Sequence, residues 1–191
     1  MTDVKILREE VLSDDHFSLK KIAFERTFRN GMRHVVEREI YCRGDAVCVL
    51  LVDPVRKLVA LTRQFRPPAF INGGLDGLIE ACAGRLEGDT PQECAVREVA
   101  EEMGYAIAPP TPLFAAFMTP GSVTEKITFF VAQYSPEART GPGGGLAEEG
   151  EDIEVLEYGL DEALAMVARG EIMDAKTIVL LQYAKLHGVL G

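Results

Sequence analysis

Three carboxylates, Glu98, Glu101 and Glu102, stand three and four residues apart inside the run 83 to 105, AGRLEGDTPQECAVREVAEEMGY. On a helix that spacing gathers them on one side, where like charges repel by about a few tenths of a kcal/mol per pair. A hard divalent cation such as Mg2+ turns the repulsion into coordination. The plainer alternative is a solvated acidic face on which Arg97 pairs with Glu93 and Glu101 at i±4.

The element that must position these groups announces itself. Thr90-Pro91-Gln92-Glu93 reads as a capping box with proline at the first helical position, and Gly104 as a stop, so the residues predict a helix over 91–103. At 100° per residue Val96, Val99 and Met103 fall on one side and the three glutamates on the other. One face is expected in the core and the other is a carboxylate patch.

Residues 97–105, REVAEEMGY, resemble the second half of the Nudix box, G-x5-E-x7-R-E-U-x-E-E-x-G-U with U a bulky aliphatic residue. The chain departs from the box twice. Asp89 stands where the first glutamate belongs, and the spacing from Gly84 to Asp89 is one residue short, a compression similar to that in the GDP-mannose pyrophosphatase branch of the family. The missing residue lies in the loop and leaves the helical carboxylates in place.

The chain has 191 residues, is 47% hydrophobic and carries a formal net charge of −10. It is long enough to bury a proper core, and no basic stripe offers itself to nucleic acid or to an anionic membrane. Cys42, Cys48, Cys82 and Cys94 show no C-x-x-C spacing, which suits reduced thiols in a cytoplasmic protein and gives no zinc site. No apolar run approaches the length of a signal or membrane segment.

Residues 4–44 alternate apolar and polar side chains about an Asn30-Gly31 turn, which predicts two or three strands that need a partner surface. Residues 46–52 and 58–65 read as strands joined at Asp53-Pro54, the first buried on both faces. The Pro/Gly-rich run 67–77 breaks the pattern before a short strand over 78–82. Further strands are expected over 113–118, 127–134 and 153–158, and helices over 160–169 and 175–187. The glycine-rich acidic run 139–152 reads as a mobile loop. Lys176, at the start of the last helix, opposes the helix dipole, which suits an anionic ligand about as well as plain solvent exposure. The class is α+β; the resemblance implies a Nudix α/β/α sandwich with a mixed β-sheet over residues 45–191, preceded by an antiparallel β-strand region over residues 1–44 for dimerisation and substrate contact.

The resemblance also implies an activity: hydrolysis of the pyrophosphate bond of a nucleotide sugar. Glu98 and Glu102 are the prime ligands for two or three Mg2+ ions, with Mn2+ able to substitute, and Glu101 is a weaker candidate. The Ala83 carbonyl adds a ligand. A loop acid, assigned to Glu151 over Glu148 and Glu149, binds metal or acts as base, with Glu102 beside it as catalytic. Substrate contacts are expected from Phe17, Glu37, Arg38, Glu39, Arg66, Gly84, Arg85, Glu125, Gly150 and Lys176. The segments around Arg66, Glu80, residues 120–125, the Gly143-Gly144-Gly145 loop, residues 151–155 and Asp174-Ala175-Lys176-Thr177 resemble the GDP-mannose branch in order and spacing, with an ADP-ribose-cleaving member as the alternative. The prolines and Phe70 in residues 67–71 depart from that branch. A non-catalytic nucleotide-sugar sensor is a further alternative, disfavoured because a sensor has no use for three self-repelling glutamates. Family members of this kind are homodimers with swapped N-terminal strands.

Overall fold

The computed structural model describes residues 3–191, the side chain of Glu149 excepted, and the described chain falls into two compact units. The first comprises residues 3–45 and Phe117–Lys126. Its sheet is a meander of β1 (Val4–Asp14), β2 (Ser18–Thr27) and β3 (Arg33–Cys42), antiparallel in the order β1-β2-β3. Gly31, at φ 83°, makes the turn between β2 and β3, a conformation that costs glycine no Cβ clash. Register shifts between Ile6 and Arg8 and between Val11 and Ser13 let apolar side chains of β1 emerge on both faces. Within this unit Val4, Ile6, Leu7, Val11 and Leu12 are all exposed. The segment 117–126 is attached by a parallel bridge from Tyr41 to Val123.

The second unit, Ala46–Ala116 and Ile127–Gly191, is built on a mixed sheet of order β10-β5-β4-β9-β8. Its strands are β4 (Ala46–Asp53), β5 (Leu58–Gln64), β8 (Thr111–Phe117), β9 (Lys126–Gln133) and β10 (Glu154–Gly159), with β6 (Leu78–Glu80) on β5 and β7 (Cys82–Arg85) on β4. All eight residues of β4 are buried, as a strand covered on both faces requires. Val47, Val49 and Leu51 join one core with Cys94, Ala95, Val99 and Met103 of the box helix. The other face is covered by α4 (Ala175–Leu186), packed in turn on α3 (Leu160–Arg169). This is the mixed sheet between helices expected for the fold class.

Three local differences from the sequence reading have physical causes. The run 67–77 contains a short helix, α1 (Pro67–Gly73), because Pro67 and Pro68 occupy first-turn positions where no amide donor is missed and Gly74 closes the end at φ 69°. The box helix is α2 (Pro91–Glu98) continued by a wider π turn over Val99–Met103. The glycine-rich run is anchored rather than slack. The amides of Gly144 and Gly145 donate to the carbonyls of Glu102 and Glu101, and those of Thr140 and Gly141 to the carbonyl of Gly104. The carbonyls at the end of the widened helix are thereby satisfied by the loop.

Candidate active site

The start of α2 is as the residues foretell: Thr90 Oγ1 accepts from the Glu93 amide and the Glu93 carboxylate accepts from the Thr90 amide. Glu93 is therefore committed to the cap, and Arg97 pairs instead with Asp89 at 3.0 Å, Glu98 at 2.8 Å and Glu101 at 3.0 Å. Asp89, at the position of the first box glutamate, thus serves Arg97. The acidic face is split by depth. Glu101 lies against Arg97, whereas Glu102 is only 2% exposed and turns toward β7, where its carboxylate accepts from the Ala83 amide at 3.3 Å.

Burial pushes the Glu102 carboxyl up to about 8; the Cys82 thiol, donating to it, works against the shift, and Glu98 and Glu151 add to it. Burial likewise pushes Glu98 up to about 7, opposed by Arg97 and aided by Glu101 and Glu151. These causes bring Glu98, Glu102 and Glu151 into one electrostatic neighbourhood. Among the described residues Glu102 makes no salt bridge, and burial beside Glu98 and Glu151 disfavours its ionised form, a situation a divalent cation relieves. The donors fit such an ion: two hard carboxylates beside a strand backbone. Among the described residues no set of three acidic, His or Cys side chains already converges to hold a metal, and Glu151 accepts from the Leu146 amide at 2.9 Å.

Two glycines make this packing possible. A Cβ on Gly84 would lie 1.8 Å from the Glu98 carboxyl carbon, so the box glycine is the space that Glu98 occupies. Gly104, at φ 73°, would place a Cβ 2.4 Å from the Gly141 carbonyl oxygen, so helix end and loop meet only through glycine. Gly150, at φ 75°, turns the loop into Glu151. Glu148 is exposed, and the side chain of Glu149 lies outside the described residues.

Arg66, Gly150 and Glu151 line a cavity of about 530 Å3, together with Arg63, Asp76 and Glu154. Arg66 Nε donates to Glu80 Oε2 at 2.7 Å, and Lys176 Nζ reaches Glu80 Oε1 at 3.2 Å and Asp174 Oδ1 at 2.6 Å. Lys176 therefore has protein carboxylates as partners, and its place against the helix dipole needs no external anion to explain it. Burial works against its charge, but Glu80 and Asp174 outweigh it and push the ammonium up to about 12. Glu80, Asp174 and Thr177 are members of this group that the residue-by-residue reading did not assign. A lone acid in the short apolar strand 78–82 was the available signal. Arg85 pairs with Glu87 at 2.7 Å.

The remaining candidates belong to the first unit. Phe17 packs edge-on against Tyr41 and lies 5.2 Å below the guanidinium carbon of Arg43, which pairs with Glu125 at 3.1 Å. Arg43, unassigned from sequence, links these two. Glu37 is held below the usual carboxylate range by Lys21 and, less strongly, by Arg8. Arg38 donates to the Glu37 carbonyl at 2.8 Å, and Glu39 stands opposite Lys21 in the β2–β3 register. All four cysteines are free thiols. Among the described residues no helix is long and apolar enough to cross a membrane.

A mixed sheet between helices, with a capped helix delivering buried glutamates against a glycine, defines a Nudix-type hydrolase, and the NUDIX domain family model matches residues 43–178. The chain belongs to the Nudix family. Residues 3–41 match the model described as the GDP-mannose pyrophosphatase NudK N-terminal domain. Curated relatives named GDP-mannose pyrophosphatase include one from Enterobacter sp. (strain 638), 42% identical over 98% of each chain. Another, from Citrobacter koseri, is 45% identical over 94% of each. A solved structure described as an ADP compounds hydrolase shares the fold, with a TM-score of 0.70 at 23% identity, covering 97% of this chain and 96% of the other.

Proposed function

We propose that the protein hydrolyses the pyrophosphate bond of GDP-mannose, giving GMP and mannose 1-phosphate, with Mg2+ as its metal. The observation that carries this reading is the similarity to relatives of that name over 98% of both chains. The groups gathered at the site support this reading. Glu98, Glu102 and the Ala83 carbonyl are proposed to hold the metal, with Glu101 in a lesser role behind Arg97. The metal, when bound, offsets charge on the diphosphate oxygens and lowers the pKa of a bound water.

The chain's own groups do the rest. Arg66 grips a phosphate oxygen with its terminal nitrogens, Lys176 offers a further donor, and Glu151, with Glu102 beside it, takes the proton from the attacking water. Arg85 and the glycine backbone at Gly84 and Gly150 border the phosphates. Phe17 offers a ring for the base, with Glu37, Arg38, Glu39 and Glu125 as polar contacts to base or sugar. The exposed apolar side chains of β1 support a homodimer formed through swapped N-terminal strands, since a patch of that kind marks an association surface. Four free thiols suit the cytoplasm.

The test is purified protein with Mg2+ against GDP-mannose, ADP-ribose, NADH and diadenosine polyphosphates. GDP-mannose is expected to give the highest kcat/KM; an equal or higher value for ADP-ribose overturns the substrate assignment. Light scattering is expected to give a dimer, and a fully active monomer overturns the swap.

A further inference from the structure

Glu80 is 3% exposed and divides its two oxygens between two cations, Arg66 Nε at 2.7 Å and Lys176 Nζ at 3.2 Å. Lys176 is shared onward with Asp174 Oδ1 at 2.6 Å, and the other Asp174 oxygen accepts from the amide and hydroxyl of Thr177 at 2.9 and 2.7 Å. Thr177 Oγ1 in turn accepts from the Ala81 amide at 2.7 Å, so the chain of bonds returns to the residue after Glu80. The ring ties the start of α1, the strand before the box glycine and the first turn of α4 into one frame.

The donors left over give the frame a use. A guanidinium has five N–H donors and an ammonium three. Among the described residues the ring takes only Nε of Arg66 and two donors of Lys176, and the terminal nitrogens of Arg66 make no hydrogen bond. Two cations against two carboxylates leave the frame neutral, so it adds little net attraction for an anion. What it fixes is direction.

We propose that Glu80 is a positioning residue for the phosphates, orienting Arg66 and Lys176 as a matched pair of donors through one carboxylate. This rests on the pyrophosphatase reading above. Loss of orientation and loss of charge predict opposite signs. Removing a carboxylate beside two cations strengthens their raw pull on an anion, whereas freeing the two side chains misplaces donors that must meet the transition state, a loss of about 10²-fold.

The experiment measures kcat and KM for GDP-mannose in wild type, Glu80→Gln, Glu80→Asp, Arg66→Ala and the Arg66→Ala, Glu80→Gln double variant. Glu80→Gln is expected to lower kcat about 10²-fold with a smaller change in KM. Glu80→Asp keeps the charge on an arm too short to span both cations and should fall nearly as far. The loss in the double variant is expected to be at least about tenfold smaller than the product of the single losses. Activity at or above wild type in Glu80→Asp and Glu80→Gln, or losses that simply multiply, overturns the proposal. If Glu80→Gln shows no folded melting transition, Glu80→Asp decides alone. If the wild type leaves GDP-mannose intact, the substrate reading fails, and the Glu80 series is read by Kd for inorganic pyrophosphate with Mg2+: weaker binding supports positioning, and tighter or equal binding overturns it.

Discussion

Two arginines of the second unit stand at well-built carboxylate clusters, and they differ in what is left over. All three nitrogens of Arg56 are engaged: Nε goes to Asp53, and both terminal nitrogens go to Glu157, at 2.9 and 2.7 Å. Its guanidinium also lies over the Tyr134 ring, whose hydroxyl donates to the same Glu157. Arg66 gives one nitrogen to Glu80, and among the described residues its terminal nitrogens make no hydrogen bond. Both clusters border cavities, of about 450 Å3 and 530 Å3. The difference teaches that an arginine paired with a buried carboxylate can serve a ligand only where geometry leaves donors over; Arg56 fits a fastening, and Arg66 fits the phosphate-binding role proposed for it.

The largest test of where the working end lies is the glutamate pair. Glu102→Gln, and separately Glu98→Gln, should each lower kcat by about 10³-fold, corresponding to the several kcal/mol a metal supplies. The paired measurement is Mg2+ binding, which should weaken in parallel, and wild-type rates in either variant would discard the metal assignment. Next, Gly84→Ala should cost about 10²-fold in kcat by driving the Glu98 carboxyl from its seat, with the protein still folded by circular dichroism.

The arginine comparison is then broken or sharpened directly. Arg66→Ala is expected to lower kcat/KM about 10²-fold while moving Tm little. Arg56→Ala should leave kcat/KM alone and lower Tm by removing the guanidinium that joins Asp53 to Glu157, as read by thermal melting. A swap of these outcomes would refute the distinction.

The smallest effects are in pH. Glu98 and Glu102, raised to about 7 and about 8, must shed protons to hold a cation, so Mg2+ affinity should rise from about pH 6 to pH 8 with proton release. Calorimetry in two buffers of different ionisation enthalpy reads it. At the other cluster the pKa shifts run downward instead. Asp53 is held below its usual range first by the Arg56 backbone amide and then by its guanidinium, and Glu157 by the guanidinium, so the stabilisation the side chain supplies is present above the unfolded-state values and lost as pH falls through the folded ones. The Tm gap between wild type and Arg56→Ala should close below about pH 4.

Much of this was legible because it is local. The capping box, the glycine stop, the fully buried β4 and the bounds of α3 all follow from neighbours in sequence, through propensity and periodicity. The short helix after Pro67 was hidden because a proline pair reads equally as a break or as a first turn. The anchored glycine loop was hidden because its partners are carbonyls some 40 residues earlier. The same holds for Glu80: its partners lie 14 and 96 residues away, and no spacing rule connects them.

By itself the sequence determined that a helix over 91–103 carries Glu98, Glu101 and Glu102 opposite a core stripe, since both follow from the rotation per residue, and the box resemblance tied those glutamates to diphosphate chemistry. Only the tertiary structure decided how deeply each glutamate is buried and what it is paired with. Packing against Gly84 and β7 half-buries Glu98 and fully buries Glu102, while Arg97 holds Glu101 in a more open position. Only the fold, too, decided that Lys176 is partnered and Arg66 poised, because charge compensation is settled by which carboxylates the sheet brings within about 3 Å, a distance the order of residues does not encode.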